Sequence, residues 1–411
     1  MEKLKFGLIG LGARGRALTR DVFVPKAETD IEIVAVCDLY EDRTAFVADE
    51  VEKAYGYRPL CTTDYREVLK IKEIEAVVVM TAWEAHVEIA VAAMKAGKHV
   101  ALEVGGAYNV EDCWTLVNTQ EETGMKCMLM ENCCYADKEL MILRMERMGA
   151  LGRIVHCTGG YGHDLRSEIA YGEKNRHYRL RNYINRNCDN YPTHQIGPIA
   201  KLLNVNNGNR FVSLTSTASC SVGLHEYIVD KFGPDDKLAS VDFKQGDIIT
   251  TVIKCAGGET ITITLDTTLP RSYSRMFSVR GTKGSYFEDN DTLYLADEHA
   301  KHEWSCREIW GNRKDYFDKY RHPIWQDYDP KSGHGGIDWL VFTAFIECVQ
   351  KDIKPPIDVY DAAAYMVITA LSEISIANGS MPVAFPDFTR GRWYQRNDIV
   401  DWKYNLDKLN K

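Results

Sequence analysis

Two groups of residues in this 411-residue chain have the types and spacing to do chemistry. The first is Gly10-Leu11-Gly12-Ala13-Arg14-Gly15, which follows the apolar run Lys5 to Ile9 and precedes a helix-compatible stretch from Arg16 to Val22. In that context Gly10 makes the tight turn, Gly12 lets the backbone approach a pyrophosphate, and Gly15 lets the helix sit close on the strand. The amides of the helix N-terminus then face the phosphates. A second apolar run, Ile31 to Cys37, ends in Asp38, where a carboxylate would accept from a ribose 2′-hydroxyl and repel a 2′-phosphate. The expected cofactor is therefore NAD rather than NADP.

The second group consists of three clusters of Tyr, His and Arg. They are Gly159-Gly160-Tyr161-Gly162-His163-Asp164-Leu165-Arg166, the stretch from His177 to Arg181 leading to Asn190-Tyr191-Pro192-Thr193-His194, and Asp266 to Arg275, which includes Tyr273. If Pro192 opens a helix, Tyr191 and His194 share its first turn, and a phenol beside an imidazole is suited to proton transfer. Pro198 predicts that this helix is not regular throughout.

The elements that must position these groups follow from periodicity. Short apolar runs at Ala76 to Met80, Lys98 to Glu103 and Lys126 to Met130 alternate with helical stretches at Glu84 to Ala96 and Asn109 to Glu122, which predicts a doubly wound parallel sheet. Ligands of such a sheet bind beyond the carboxyl ends of the strands, so Thr81 to His86, Glu103 to Gly106, Glu131 and Asn132 become candidates. Strand-like runs at Arg153 to Gly159, Phe211 to Ser219, Ile248 to Lys254, Thr260 to Asp266 and Phe277 to Arg280, with Ala256-Gly257-Gly258 as a hairpin signal, predict a second sheet. The expected architecture is α/β: a Rossmann domain over residues 1–132, then an α+β domain over residues 133–411 with a largely antiparallel open sheet. Helical stretches at Gly336 to Val349 and Tyr360 to Ala377 are fit to cover a sheet face or to return to the first domain.

Composition removes several alternatives. Formal net charge is −9 and no dense Lys/Arg run is present, which argues against a nucleic-acid partner. The chain enters Leu4 to Ile9 directly after Met1-Glu2-Lys3, and no apolar stretch long enough to span a bilayer is expected, which predicts a cytoplasmic protein without a membrane partner. The 12 cysteines are scattered, several inside apolar runs, and are expected to be reduced. Cys133 and Cys134 lack CxxC or HxxxH company, so no metal is expected.

The motifs together carry a resemblance. The N-terminal half resembles the glucose-fructose oxidoreductase, inositol dehydrogenase and MocA superfamily, and the whole chain resembles glycoside hydrolase family 109. The likeness lies in Trp83-Glu84-Ala85-His86, Glu103-Val104, Met130 to Tyr135, Gly159 to Arg166, Tyr191 to His194 and Pro270 to Arg275. It implies that Arg14, Gly15, Asp38, Trp83, His86, Glu103, Val104 and Asn132 contact NAD, beside Gly10 and Gly12. It also implies that Tyr161, Arg179, Tyr191, Thr193, His194 and Tyr273 line a sugar site. Sugar dehydrogenases of the superfamily have Glu-Lys-Pro after the fifth strand, with a lysine that assists alcohol oxidation; this chain has Glu103-Val104-Gly105.

The reaction this resemblance implies is glycoside hydrolysis, with an α-N-acetylgalactosaminide as type substrate, by transient oxidation at C3, deprotonation at C2, elimination at C1 and addition of water, consuming no NAD. His194 is the expected proton-transfer group with Tyr191 as partner. Tyr161 and His163 act at the leaving group or water, and Arg179 and Tyr273 bind hydroxyls or an N-acetyl group. The alternatives are an NAD-dependent sugar or inositol dehydrogenase, and a sensor that kept the pocket without turnover. Many family members carry an export signal that was not found here, so an intracellular glycoside or oligosaccharide is the expected substrate class. An open sheet face suggests a homo-oligomer, a dimer or tetramer.

Overall fold

Leu4–Ile9 (β1) is apolar apart from Lys5, the pattern of a strand whose sheet is covered by helices on both faces. The computed structural model, which describes residues 3–299, 307–330 and 333–408, shows that setting. Five further strands join β1: Ile31–Cys37 (β2), Leu60–Thr62 (β3), Ala76–Val79 (β4), His99–Leu102 (β5) and Cys127–Leu129 (β6). Their order is β3-β2-β1-β4-β5-β6, with every neighbouring pair parallel. The order reverses between β1 and β4, which makes a topological switch point at the end of β1. Every residue of β4 and β6 is buried.

β3 was not anticipated. It has three residues, lies at the sheet edge and leaves Leu60 exposed, so it lacks the apolar signature of its neighbours.

The chain forms two compact units. One comprises Met1–Tyr135, Tyr328–Ala363 and Asn397–Leu406; the other comprises Ala136–Asp327, Ala364–Arg396 and Asp407–Lys411. The first unit thus takes the helix Ile337–Gln350 from late in the chain. Its Phe342 and Phe345 rings lie 5.6 and 6.1 Å from Phe6 of β1, and Phe342 lies 4.8 Å from Phe23. This cluster of buried rings seals one face of the parallel sheet.

The second unit is built on eight strands: Ile154–Gly162 (β7), Phe211–Ala218 (β8), Ile248–Cys255 (β9), Thr260–Asp266 (β10), Ser278–Gly281 (β11), Gly284–Phe287 (β12), Thr292–Leu295 (β13) and Val383–Ala384 (β14). Their order is β13-β12-β11-β7-β10-β9-β8-β14. All pairings are antiparallel except β7 with β10. The β9–β10 hairpin turns at Gly258, whose φ of +100° suits glycine. Burial alternates along β10, the mark of a sheet with one face toward a core.

The helix Thr193–Leu202 packs against β7, and Gly159 permits the approach: a Cβ at that position would lie 2.1 Å from the carbonyl oxygen of Gln195. This helix runs through Pro198 as one element. Pro198 lacks the N–H that would bond the carbonyl of His194 four residues earlier, and the flanking residues keep helical geometry.

One expectation needs correction. Among the described residues the helix Val359–Ala377 is, by length and composition, apolar enough to cross a bilayer, against the expectation of no such stretch. Most of it is buried inside the protein, the setting of a core helix. Nine of the eleven described cysteines are buried, and all eleven are free thiols.

Candidate active site

In the first unit the Gly-rich turn follows β1 as the glycine spacing requires. Gly10 has φ +93°, and a Cβ there would meet the backbone of Met80 and Thr81 at 2.5 to 2.7 Å. A Cβ on Gly15 would lie 2.3 Å from the Gly10 carbonyl oxygen, so only glycine lets the helix Ala13–Leu18 start this close to the turn. Above Gly12 the nearest atom is Arg43 Nη1 at 3.5 Å, leaving open the side that a pyrophosphate would approach.

Asp38, at the end of β2, is buried and does two things at once. Its Oδ2 accepts from the Leu11 amide at 2.6 Å, pinning the turn, and its Oδ1 accepts from the Tyr40 amide at 3.1 Å. Arg43 lies 3.6 Å away, with its guanidinium 4.7 Å from the Tyr40 ring centroid. The turn, the open side of Gly12 and the acid at the end of β2 fit an NAD-type dinucleotide.

Further residues at the strand ends gather in the same unit. Trp83 begins the helix Trp83–Lys95, and a Cβ on Gly105 would lie 2.4 Å from its indole, which fixes the small residue after Val104. His86 Nε2 lies 2.9 Å from the Thr81 carbonyl oxygen, and burial pushes its imidazole down to about 4, leaving the ring neutral. Glu103 Oε2 accepts from the Val104 amide at 3.0 Å, and Oε1 accepts from Arg14 Nε at 3.0 Å.

Arg14 and Asn132 converge on a residue that the sequence does not single out. Asp338, at the start of the helix Ile337–Gln350, accepts from Arg14 Nη1 and Nη2 at 2.9 and 2.8 Å and from Asn132 Nδ2 at 2.6 Å. His334 Nδ1 lies 2.8 Å from its other oxygen. Burial alone would raise the Asp338 carboxyl, but the hydrogen bonds from His334 and Arg14 hold it well below the usual carboxylate range. The segment before it, Gly333-His334-Gly335-Gly336, has positive φ at all four residues. A histidine set among three glycines is the signal that could have drawn attention to this segment; Asp338 itself has none.

The second unit brings the Tyr and His candidates together. Tyr191 Oη lies 3.2 Å from His194 Nε2, and Tyr161 Oη lies 3.1 Å from His163 Nδ1. The Tyr161 and Tyr191 rings are 4.7 Å apart, and Tyr161 is 5.8 Å from the His194 ring. Tyr273 stands edge-on to both Tyr161 and His163, at 6.2 and 5.3 Å. It reaches them because Gly162, at the end of β7, bridges to Ser274 through paired backbone hydrogen bonds of 2.9 and 3.0 Å. Tyr161 and Tyr191 are buried while Tyr273 is exposed. The cluster therefore has one open side.

Arg179 is buried with its guanidinium 5.1 Å from the Tyr191 ring centroid, and its Nε donates to Glu168 at 2.6 Å. Burial acts to raise the Glu168 carboxyl, yet Arg179 and His177 together carry it below its ordinary value. Burial, with Arg179 adding to it, lowers the His163 imidazole, so this ring favours its neutral form. Thr193 is fully buried at the start of its helix, and its hydroxyl oxygen has no hydrogen-bond partner among the described residues.

Beneath the cluster lies Asp189, also missed, because an acid in a polar loop carries no sequence signal of burial. Its Oδ1 accepts from the Tyr191 amide at 3.3 Å and from Gln195 Nε2 at 2.8 Å. Burial pushes its carboxyl up to about 7.

Comparison with known proteins agrees with both units. Residues 4–131 match the oxidoreductase family with an NAD-binding Rossmann fold, and residues 135–395 match the C-terminal domain of glycosyl hydrolase 109. An α-N-acetylgalactosaminidase of Tannerella forsythia is 39% identical, covering 96% of this chain and 88% of that protein. A glycosyl hydrolase family 109 protein of Stenotrophomonas maltophilia is 38% identical, covering 98% and 93%. Among solved structures, a levoglucosan dehydrogenase in complex with NADH and levoglucosan superposes with a TM-score of 0.70 at 18% identity, covering 94% of this chain and all of that one. A myo-inositol 2-dehydrogenase of Lactobacillus plantarum gives 0.66 at 14% identity, covering 94% and 100%. The fold is shared with these oxidoreductases, and the sequence likeness runs through nearly the whole chain to glycosidases. This chain is an enzyme and belongs to glycoside hydrolase family 109.

Proposed function

We propose that the protein is an NAD-dependent redox glycosidase that hydrolyses a glycoside without net consumption of the dinucleotide. The observation that carries this reading is the paired arrangement of Tyr191 with His194 and Tyr161 with His163. A two-carboxylate glycosidase needs two facing acids, whereas this cluster offers two phenol–imidazole pairs; of the acids beside it, Glu168 is engaged by Arg179, and buried Asp189 by Gln195 and the Tyr191 amide.

Gly10, Gly12, Gly15 and Asp38 would hold the dinucleotide, with Arg14, Trp83, His86, Glu103, Val104 and Asn132 along its further length. When bound, NAD supplies a reversible hydride acceptor, so a sugar C3 carbinol can pass to a ketone and back.

The chain's own side chains then move protons. A C3 ketone makes the C2 hydrogen acidic, and His194, with Tyr191 against its Nε2, would take it. Tyr161 and His163 are the matching pair for protonating the C1 leaving oxygen and for guiding water. Arg179 and Tyr273 bind sugar hydroxyls or an N-acetyl group, and Thr193, buried at the helix start, lines the same sugar site. The name of the Tannerella relative makes an α-N-acetylgalactosaminide the first substrate to try. A cytoplasmic location and a homodimer or homotetramer belong to the same proposal and are read by cell fractionation and light scattering.

The test is a panel of nitrophenyl glycosides given to protein purified without added NAD, following nitrophenol and the NADH absorbance together. Nitrophenol release without NADH accumulation supports the proposal. Stoichiometric NADH from a free sugar, with no aglycone release, replaces it with a sugar or inositol dehydrogenase, a reading the shared fold of the oxidoreductases supports.

A further inference from the structure

Arg14 is one guanidinium between two carboxylates. Its side chain lies 3.0 Å from Glu103 and 2.8 Å from Asp338, whose own side chains are 7% and 2% exposed. Those three groups sum to one negative charge, and His334, 2.8 Å from Asp338, offsets it only when protonated. Asn132 adds hydrogen bonding and no charge. His86, in the same unit, is held neutral by burial. After Glu103 the chain continues Val104-Gly105, so neither following residue adds a cation.

The place of this charge in the cradle follows from the sheet. A dinucleotide on a doubly wound sheet has its adenosine ribose by the acid after β2, here Asp38, and its pyrophosphate over the Gly-rich turn. Its nicotinamide half therefore belongs across the switch point, on the β4 and β5 side, where Glu103 directly follows β5. The oxidised nicotinamide ring carries a positive charge and the reduced ring carries none. Buried charges are weakly screened, so a net negative group nearby acts on one redox form and leaves the other almost untouched.

We infer that Glu103 and Asp338, sharing the single guanidinium of Arg14, make the cradle select the oxidised dinucleotide over the reduced one. The inference rests on the dinucleotide reading above and adds to it a direction: the resting protein holds the oxidised form, as a reaction with no net redox change requires at its start. It assigns Asp338 as a positioning and charge-setting residue.

Titration calorimetry with NAD⁺ and, separately, NADH tests this on nucleotide-stripped full-length protein and on the variants Asp338→Asn and Glu103→Gln. Wild-type protein is expected to bind NAD⁺ more tightly than NADH. Each variant is expected to move the ratio of the two dissociation constants toward NADH by about tenfold, equivalent to ~30 mV for a two-electron couple. Circular dichroism identifies a variant that has lost its fold; if Asp338→Asn does, Glu103→Gln carries the comparison, and the wild-type ratio needs neither. Tighter binding of NADH by the wild type, or an unchanged ratio in a folded variant, overturns the inference while leaving the dinucleotide reading intact. Binding of neither nucleotide overturns both.

Discussion

The hydroxyl of Tyr191 lies 3.2 Å from Nε2 of His194, three residues later, because Tyr191 directly precedes Pro192, the N-cap of the helix whose first turn carries His194. If this pair takes the sugar proton, His194→Ala lowers kcat by about 10²- to 10⁴-fold, the usual worth of general acid–base catalysis. Tyr191→Phe is expected to lower it less, since the imidazole survives. Steady-state kinetics on both variants, with thermal melts showing unchanged folding, check this.

Arg179 is predicted to act in binding. Glu168→Gln removes its carboxylate partner and leaves a buried guanidinium without that charge, so KM rises more than kcat falls. Glu168→Asp restores part of the affinity. A pH profile adds a second reading: the folded Glu168 carboxyl lies below its unfolded value, so its contribution to stability is present above the ordinary carboxylate range and fades as pH falls through the folded value.

Asp189 predicts the opposite sign. Its carboxyl is raised to about 7 by burial, so the native state holds a proton that the unfolded chain has released. Stability from this group therefore declines as pH rises from about 4 to 7. Asp189→Asn is expected to flatten the fall of Tm over that interval, and an equal slope in the variant counts against the assignment.

Gly159→Ala tests the packing of the helix that carries His194. The added methyl would meet the Gln195 carbonyl oxygen at 2.1 Å, so either the helix or β7 must shift. Overpacking of this kind costs about 1–3 kcal/mol. The expected result is a lower Tm together with a loss of kcat beyond what the stability loss explains.

Much of the cradle was legible because its constraints are local. Gly10 and Gly15 stand at fixed offsets along one strand–turn–helix unit, and Asp38 closes the next strand, where backbone geometry permits few alternatives. The Tyr191–His194 pair was legible for the same reason, being three residues apart. Asp338 was not, since it reaches Arg14 from 324 residues away, and a carboxylate at a helix start reads equally as an ordinary first-turn acid. Asp189 was hidden because burial of an acid is decided by elements distant in sequence, such as the Thr369 hydroxyl that bonds its carbonyl at 2.7 Å. The short strands β12 and β13 escaped because four residues with Gly or Thr at an end carry too little periodicity.

The central claim, hydrolysis through loss of the C2 proton, is tested most directly by running the reaction in deuterated water and examining the released sugar by mass spectrometry and proton NMR. The account predicts deuterium at C2 of the product, formed at the rate of aglycone release and slowed in step with it in His194→Ala. Product released at full rate with protium retained at C2 would contradict it.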